Sequence, residues 1–221
     1  MEYIFIIPII LMSIIIHEVS HGYVAYLLGD DTAKRYRRLS LHPMKHIDTF
    51  GTIILPLLLL LTSGGRLAFG YAKPVPINPY NFKDYKKGTA YTAAAGPLSN
   101  FIIAFVVAMI FRLLAALFFD PFTGGAPVAM FTLQILYATI LFNMIIGLFN
   151  LIPIPPLDGS KVIGLFLSDE MYYKYTAQEQ KGMMILMGII LISFVFNLNI
   201  LGRVLFPPLR FFMQLLTGVA F

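Results

Sequence analysis

Hydrophobic positions in this chain gather into long runs separated by short polar, basic or proline-rich stretches. The first run extends from about Tyr3 to Leu28 and stops at Gly29-Asp30-Asp31. A basic stretch follows, with Lys34, Arg35, Arg37, Arg38 and Lys45, and then a short apolar run, Thr52 to Leu61, that contains Pro56. Behind it, Pro74 and Pro76 forbid a continuous helix between Gly64 and Pro76, so an extended strand or β-hairpin is expected there. A second long run covers about Ala90 to Phe111, and a third about Val128 to Ile152, ended by Pro153, Pro155 and Pro156. The polar stretch Ser168 to Lys181 precedes an apolar segment, about Met183 to Leu198. The last piece, Ile200 to Phe221, is interrupted at Pro207-Pro208 and either spans a membrane or lies in its interface.

Apolar runs of roughly 18 residues or more read as membrane-spanning helices, because about 20 residues cross the hydrocarbon. The expected fold is therefore an all-α polytopic membrane protein. Thr52–Leu61 is too short to span comfortably and reads as a re-entrant or interfacial piece. With no internal repeat and no low-complexity linker, residues 1–221 are expected to form a single membrane domain.

Composition agrees: 58% of the residues are hydrophobic and 12% charged, too little polar surface for a soluble domain. The N-terminus lacks a basic flank and a small-residue cleavage site, so the first run is expected to remain in the mature protein. The chain has no cysteine, which removes disulfides, thiolate metal ligands and a cysteine nucleophile. The net charge of +5 carries no nucleic-acid motif with it and reads as a topology signal. Ten Lys/Arg fall between Lys34 and Lys87, against Arg112 alone after the second long run. The positive-inside rule then places 29–88 in the cytoplasm and the N-terminus outside, in a multi-pass protein of a bacterial-type cell membrane. This holds only if Thr52–Leu61 enters and leaves by one face.

His17 and His21 stand four apart in an apolar helical run, which puts both imidazoles on one helix face beside Glu18. Two imidazoles can hold Zn²⁺ while the adjacent carboxylate takes a proton from water. Ionisable side chains are costly in lipid and face functional interiors there, which strengthens a short motif. A catalytic zinc site needs a third protein ligand and one open position. The position six residues beyond His21 is Leu27, so that ligand must come from elsewhere. Asp158 follows the third run directly, after Pro155-Pro156-Leu157 and before Gly159. It reads equally as a ligand on unwound backbone lining a cavity or as an interfacial residue of a helix-ending turn. His42 and His46 lie in the basic loop and read as solvated or interfacial, since a fourth protein ligand would close the site.

The motif His17-Glu18-Val19-Ser20-His21, with Asn150…Leu157-Asp158-Gly159 after a later run, resembles the site-2 protease family of intramembrane metalloproteases. Gly96-Pro97-Leu98-Ser99-Asn100 resembles that family's middle core helix, and the order of the three elements also matches. His46 to Thr52 and Ala72 to Pro79 are similar to its compact bacterial members without a PDZ domain. The resemblance, over roughly residues 10–165, implies a three-helix catalytic core at about 3–165 with C-terminal helices at about 166–221. It implies one catalytic Zn²⁺ on His17, His21 and Asp158, with Glu18 as general base and Asn150 contacting substrate or the oxyanion. It further implies a transmembrane protein as substrate, with the lipid bilayer as the other partner and the oligomeric state open. Asn100 and Gly96-Pro97 are read as structural.

A helical substrate hides its carbonyls, and the alternation from Leu67 to Val75 suggests an edge with which an unwound substrate could pair as an added strand. A membrane transporter using His17 and Glu18 as an ion path is the competing class, and a non-catalytic scaffold the other. Cysteines introduced at Lys45 and Lys83 should label from the same side of the membrane; labelling from opposite sides would mean that Thr52–Leu61 spans.

Overall fold

The computed structural model describes residues 3–65, 70–118, 127–196 and 198–219. Helix α1 is Tyr3–Leu27, α2 is a single turn at Thr32–Arg35, and α3 is Leu55–Thr62, entered through a π-helical stretch at Thr49–Ile54. Then come α4 (Tyr85–Phe118), α5 (Pro127–Asn150) and α6 (Asp158–Ile163). The chain ends with α7 (Asp169–Thr176), α8 (Glu179–Val195) and α9 (Ile200–Thr217). Three helices, α1, α4 and α5, are long and apolar enough to cross a membrane. At 1.5 Å per residue the shortest of their apolar stretches reaches about 35 Å, against a hydrocarbon core of about 30 Å.

Helix α4 is central and packs against α1, α5, α6 and α9. Its second half is apolar: Ala104, Ala108 and Phe111 meet Leu133, Ile140 and Met144 of α5 and Leu209 and Met213 of α9. Alanines at these positions let the backbones approach closely. Its first half buries Ala93, Ala95, Gly96, Pro97 and Asn100, and the helix packs there against α1 and α6. The helix runs through Gly96-Pro97 without interruption, beginning before Ala90 and ending after Phe111.

Two expectations are corrected. Pro207 and Pro208 do not interrupt the last segment but lie inside α9. Leu209 and Met213 on its buried face hold it to the core, while Arg112 donates from Nε to Leu216 O and from Nη2 to Leu215 O, both at 2.8 Å. Packing and this C-terminal cap offset the backbone hydrogen bonds that proline cannot make. The expected strand or hairpin is the other: among the described residues there is no strand, and residues 66–69, where part of that expectation falls, lie outside them.

Residues 70–78 form instead an irregular strap whose donors are spent on other elements. Tyr71 N–H reaches Gly51 O at 3.0 Å and Lys73 N–H reaches His46 O at 2.8 Å. Val75 N–H donates to the Glu18 carboxylate at 3.0 Å, and Asn78 N–H to Asp30 Oδ2 at 2.7 Å. Pro74 and Pro76 have no N–H to offer. The N–H groups of 71, 73, 75 and 78 are thus spent on separate elements rather than on a ladder.

Asp30, fully buried, anchors the end of this strap. It accepts from Asn78 N–H, from Asn81 Nδ2 at 2.7 Å, and from both the N–H and the hydroxyl of Thr32. Burial raises its pKa, and these donors outweigh that and hold it below the ordinary carboxylate value. Asp30→Ala leaves the donors without their acceptor, at about 1–3 kcal/mol for each that stays buried. Limited proteolysis should then nick the chain between Gly70 and Asn78, where the wild type resists.

Candidate metal centre

On α1, Ser13, His17, His21 and Ala25 recur every four residues as one buried stripe facing α4. The two imidazoles meet edge to face with centroids 4.6 Å apart. His17 Nδ1 lies 2.6 Å from Asn100 Oδ1, and His21 Nδ1 lies 2.7 Å from the Thr92 carbonyl. Both partners are acceptors, so each Nδ1 carries the hydrogen and each neutral ring presents a bare Nε2. Those two Nε2 atoms lie 3.1 Å and 3.3 Å from Asp158 Oδ2.

Asp158 comes from 141 residues beyond His17, as the first residue of α6. The prolines of 151–157 stop α5 and turn the backbone back. Gly159 is needed there for space rather than for a left-handed turn, because a Cβ would sit 2.1 Å from Leu151 O. Helices α7 and α8 brace this turn from outside: the Tyr175 hydroxyl donates to Pro153 O, and a Cβ on Gly182 would lie 2.1 Å from Pro155 O.

His17, His21 and Asp158 thus offer three ligand atoms within 4.8 Å of one another, all of them lone-pair donors with their hydrogens directed elsewhere. Such a set repels itself unless a cation sits among its members, and two imidazoles with one carboxylate suit Zn²⁺. Gly96 of α4 supports the fit, since a Cβ there would come within 2.4 Å of His21 Nε2 and 2.6 Å of His17 Cε1.

A cavity of about 540 Å³ opens onto these residues, with Glu18, Val75 and Asn150 in its lining. Asn150 donates to Ile146 O at 3.0 Å, a helix-terminal bond, and also borders the cavity. His42 and His46 take no part in the cluster. Of the two readings of His46, solvated or interfacial, burial excludes the first: it is fully buried with Nε2 2.7 Å from Ser40 O, and burial pushes its pKa down.

The Peptidase family M50 profile matches residues 5–195. This chain belongs to that family. The assignment agrees with the resemblance to site-2 proteases, and the M50 chain is a zinc metalloprotease with Zn²⁺ as its cofactor. It is 37% identical over 204 residues to YwhC of Bacillus subtilis (strain 168), named there as a candidate zinc metalloprotease, covering 91% of this chain and 84% of that one. Zinc metalloprotease MJ0392 of Methanocaldococcus jannaschii is 28% identical over 165 residues, which are 75% of this chain and 35% of that one. Rip2 of Mycolicibacterium smegmatis, also named as a candidate zinc metalloprotease, is 26% identical over 82% of this chain and 64% of its own length. No solved structure gives a significant match.

Motif reading of this M50 peptidase missed Ser13, Thr92 and Asn143 as neighbours of the cluster, and read Gly96 and Asn100, which also touch the histidines, as structural. Ser13 was recoverable, one turn before His17 on the same face. Asn143 was recoverable as an amide within an apolar run. The Thr92 carbonyl has no signature, because any residue supplies one. Gly96→Ala should keep the helical circular dichroism of the wild type and lose most of its zinc, measured by metal analysis of the purified protein.

Proposed function

We propose that this M50 peptidase is an intramembrane endopeptidase that hydrolyses peptide bonds within or near transmembrane segments of membrane proteins. The observation that carries the reading is the burial of the His17–His21–Asp158 cluster among α1, α4 and the turn after α5, the three helices being long and apolar enough to cross a bilayer.

His17 Nε2, His21 Nε2 and the Asp158 carboxylate would hold one zinc ion. When bound, zinc supplies Lewis acidity that polarises the scissile carbonyl and eases deprotonation of an attacking water. Glu18 accepts that proton and passes it to the leaving amine as the peptide bond breaks. Its Oε2 is held by Val75 N–H, which fixes one edge of the carboxylate beside the cavity. Asn150, at the cavity wall, is positioned to contact the substrate backbone or the developing oxyanion.

The chain is a single membrane domain over 1–221 in a bacterial-type cell membrane, with its N-terminus outside and 29–88 in the cytoplasm. The helical stretch Thr49–Thr62, 14 residues that would reach about 21 Å, enters and leaves by the cytoplasmic face. Water reaches the site from that side, where the cavity meets the turn carrying Asp158. The substrate's scissile segment must unwind to expose a carbonyl.

Glu18→Ala should keep its zinc and lose cleavage of a single-span substrate by about 10²-fold or more in an assay with purified protein in lipid. Full cleavage by that variant would remove Glu18 from the mechanism. Asp158→Asn should bind zinc more weakly, and wild-type retention against a chelator would remove it as a ligand.

A further inference from the structure

Behind the metal centre, on the side away from the cavity, a chain of buried polar groups links α1, α4 and α5. His17 Nδ1–H donates to Asn100 Oδ1 at 2.6 Å. Asn100 Nδ2 donates to Asn143 Oδ1 at 2.9 Å, and Asn143 Nδ2 donates to Ser13 Oγ at 2.9 Å. The Ser13 hydroxyl then donates to its own helix at Ile9 O, 2.8 Å away. Asn100 and Asn143 are fully buried and Ser13 nearly so. The chain leaves α1 at His17 and returns to it one turn earlier.

Every bond in this chain runs the same way, and backbone carbonyls enforce the direction. Asn143 Nδ2 also faces Thr139 O at 2.9 Å, and Asn100 Nδ2 also faces Ser13 O at 3.4 Å. A carbonyl can only accept, so turning either amide over would set oxygen against oxygen in the interior. With both amides oriented, Asn100 can present only an oxygen to His17. His17 must then carry its hydrogen on Nδ1 and keep Nε2 bare.

We infer that Asn100, Asn143 and Ser13 are positioning residues that set the tautomer and ring orientation of His17 for metal binding. None of them touches the proposed ligand position. The inference rests on the reading of His17 as a zinc ligand. His21 is fixed differently, by the Thr92 main chain, so side-chain substitution can disturb one imidazole and leave the other. Buried amides also join apolar helices simply by bonding to each other. That structural role predicts lower stability and no change in the metal affinity of the folded protein.

The test measures zinc affinity of the full-length protein in lipid by competition with a chelator of known affinity, with thermal unfolding of the metal-free protein alongside. Asn143→Leu and Asn100→Leu should each bind zinc about 10- to 100-fold more weakly, the range typical of outer-shell partners. Ser13→Ala, the least disruptive change, should lose about tenfold. Asn100→Asp keeps an oxygen facing His17 Nδ1–H but sets its second oxygen against Asn143 Oδ1 and Ser13 O, so it should recover only part of the affinity lost in Asn100→Leu. Unchanged zinc affinity in folded Ser13→Ala and Asn143→Leu overturns the inference, and so does Asn100→Asp binding no better than Asn100→Leu. A His17→Ala protein that binds zinc as tightly as the wild type overturns the ligand assignment itself, and the relay with it.

Discussion

Two imidazole nitrogens lie 3.1 and 3.3 Å from one carboxylate oxygen inside apolar helix packing, and the rest of the structure serves that meeting. Lone pairs so close together in a low-dielectric interior are unfavourable until a cation joins them. Their surroundings must therefore do two things: hold the hydrogens on the far side of each ring and bring a distant acid to the near side. Helix α4 does the first, through Asn100 and the Thr92 carbonyl, and the proline-ended turn after α5 does the second.

That division explains why α4 differs along its length. Where it meets the histidines it needs Gly96, because no side chain fits between its backbone and the two rings. Beyond Asn100 it needs only close apolar contact, and Ala104 and Ala108 provide it against α5 and α9. On the opposite side of the site, the strap 70–78 gives its N–H groups to Gly51, His46, Glu18 and Asp30. The strap is thus tied to the helix that carries the histidines as well as to the loop before it. Helices α7 and α8 carry none of the three clustered ligand residues, yet they brace the turn that presents Asp158.

Sequence reasoning failed where an element's form depends on distant partners. Alternation from Leu67 to Val75 suggested a strand, but a strand needs a neighbouring ladder, and the donors at 71, 73 and 75 found acceptors on separate elements. Pro207-Pro208 suggested a break, but the buried face of α9 and the Arg112 cap keep the helix whole. His46 looked solvated or interfacial by its neighbours in sequence, and is enclosed by the fold.

The apolar runs, the two histidines one turn apart with Glu18 between them, and the proline-ended third run with Asp158 behind it were all legible in the chain, because each is local chemistry with a fixed helical or turn geometry. Which ring nitrogen carries hydrogen was not. That depends on the direction of hydrogen bonds passing through Asn100, Asn143 and Ser13, residues that lie up to 130 positions apart in pairs that touch. Only packing of α1, α4 and α5 decides such contacts, since spacing along one helix carries no information about the register of another.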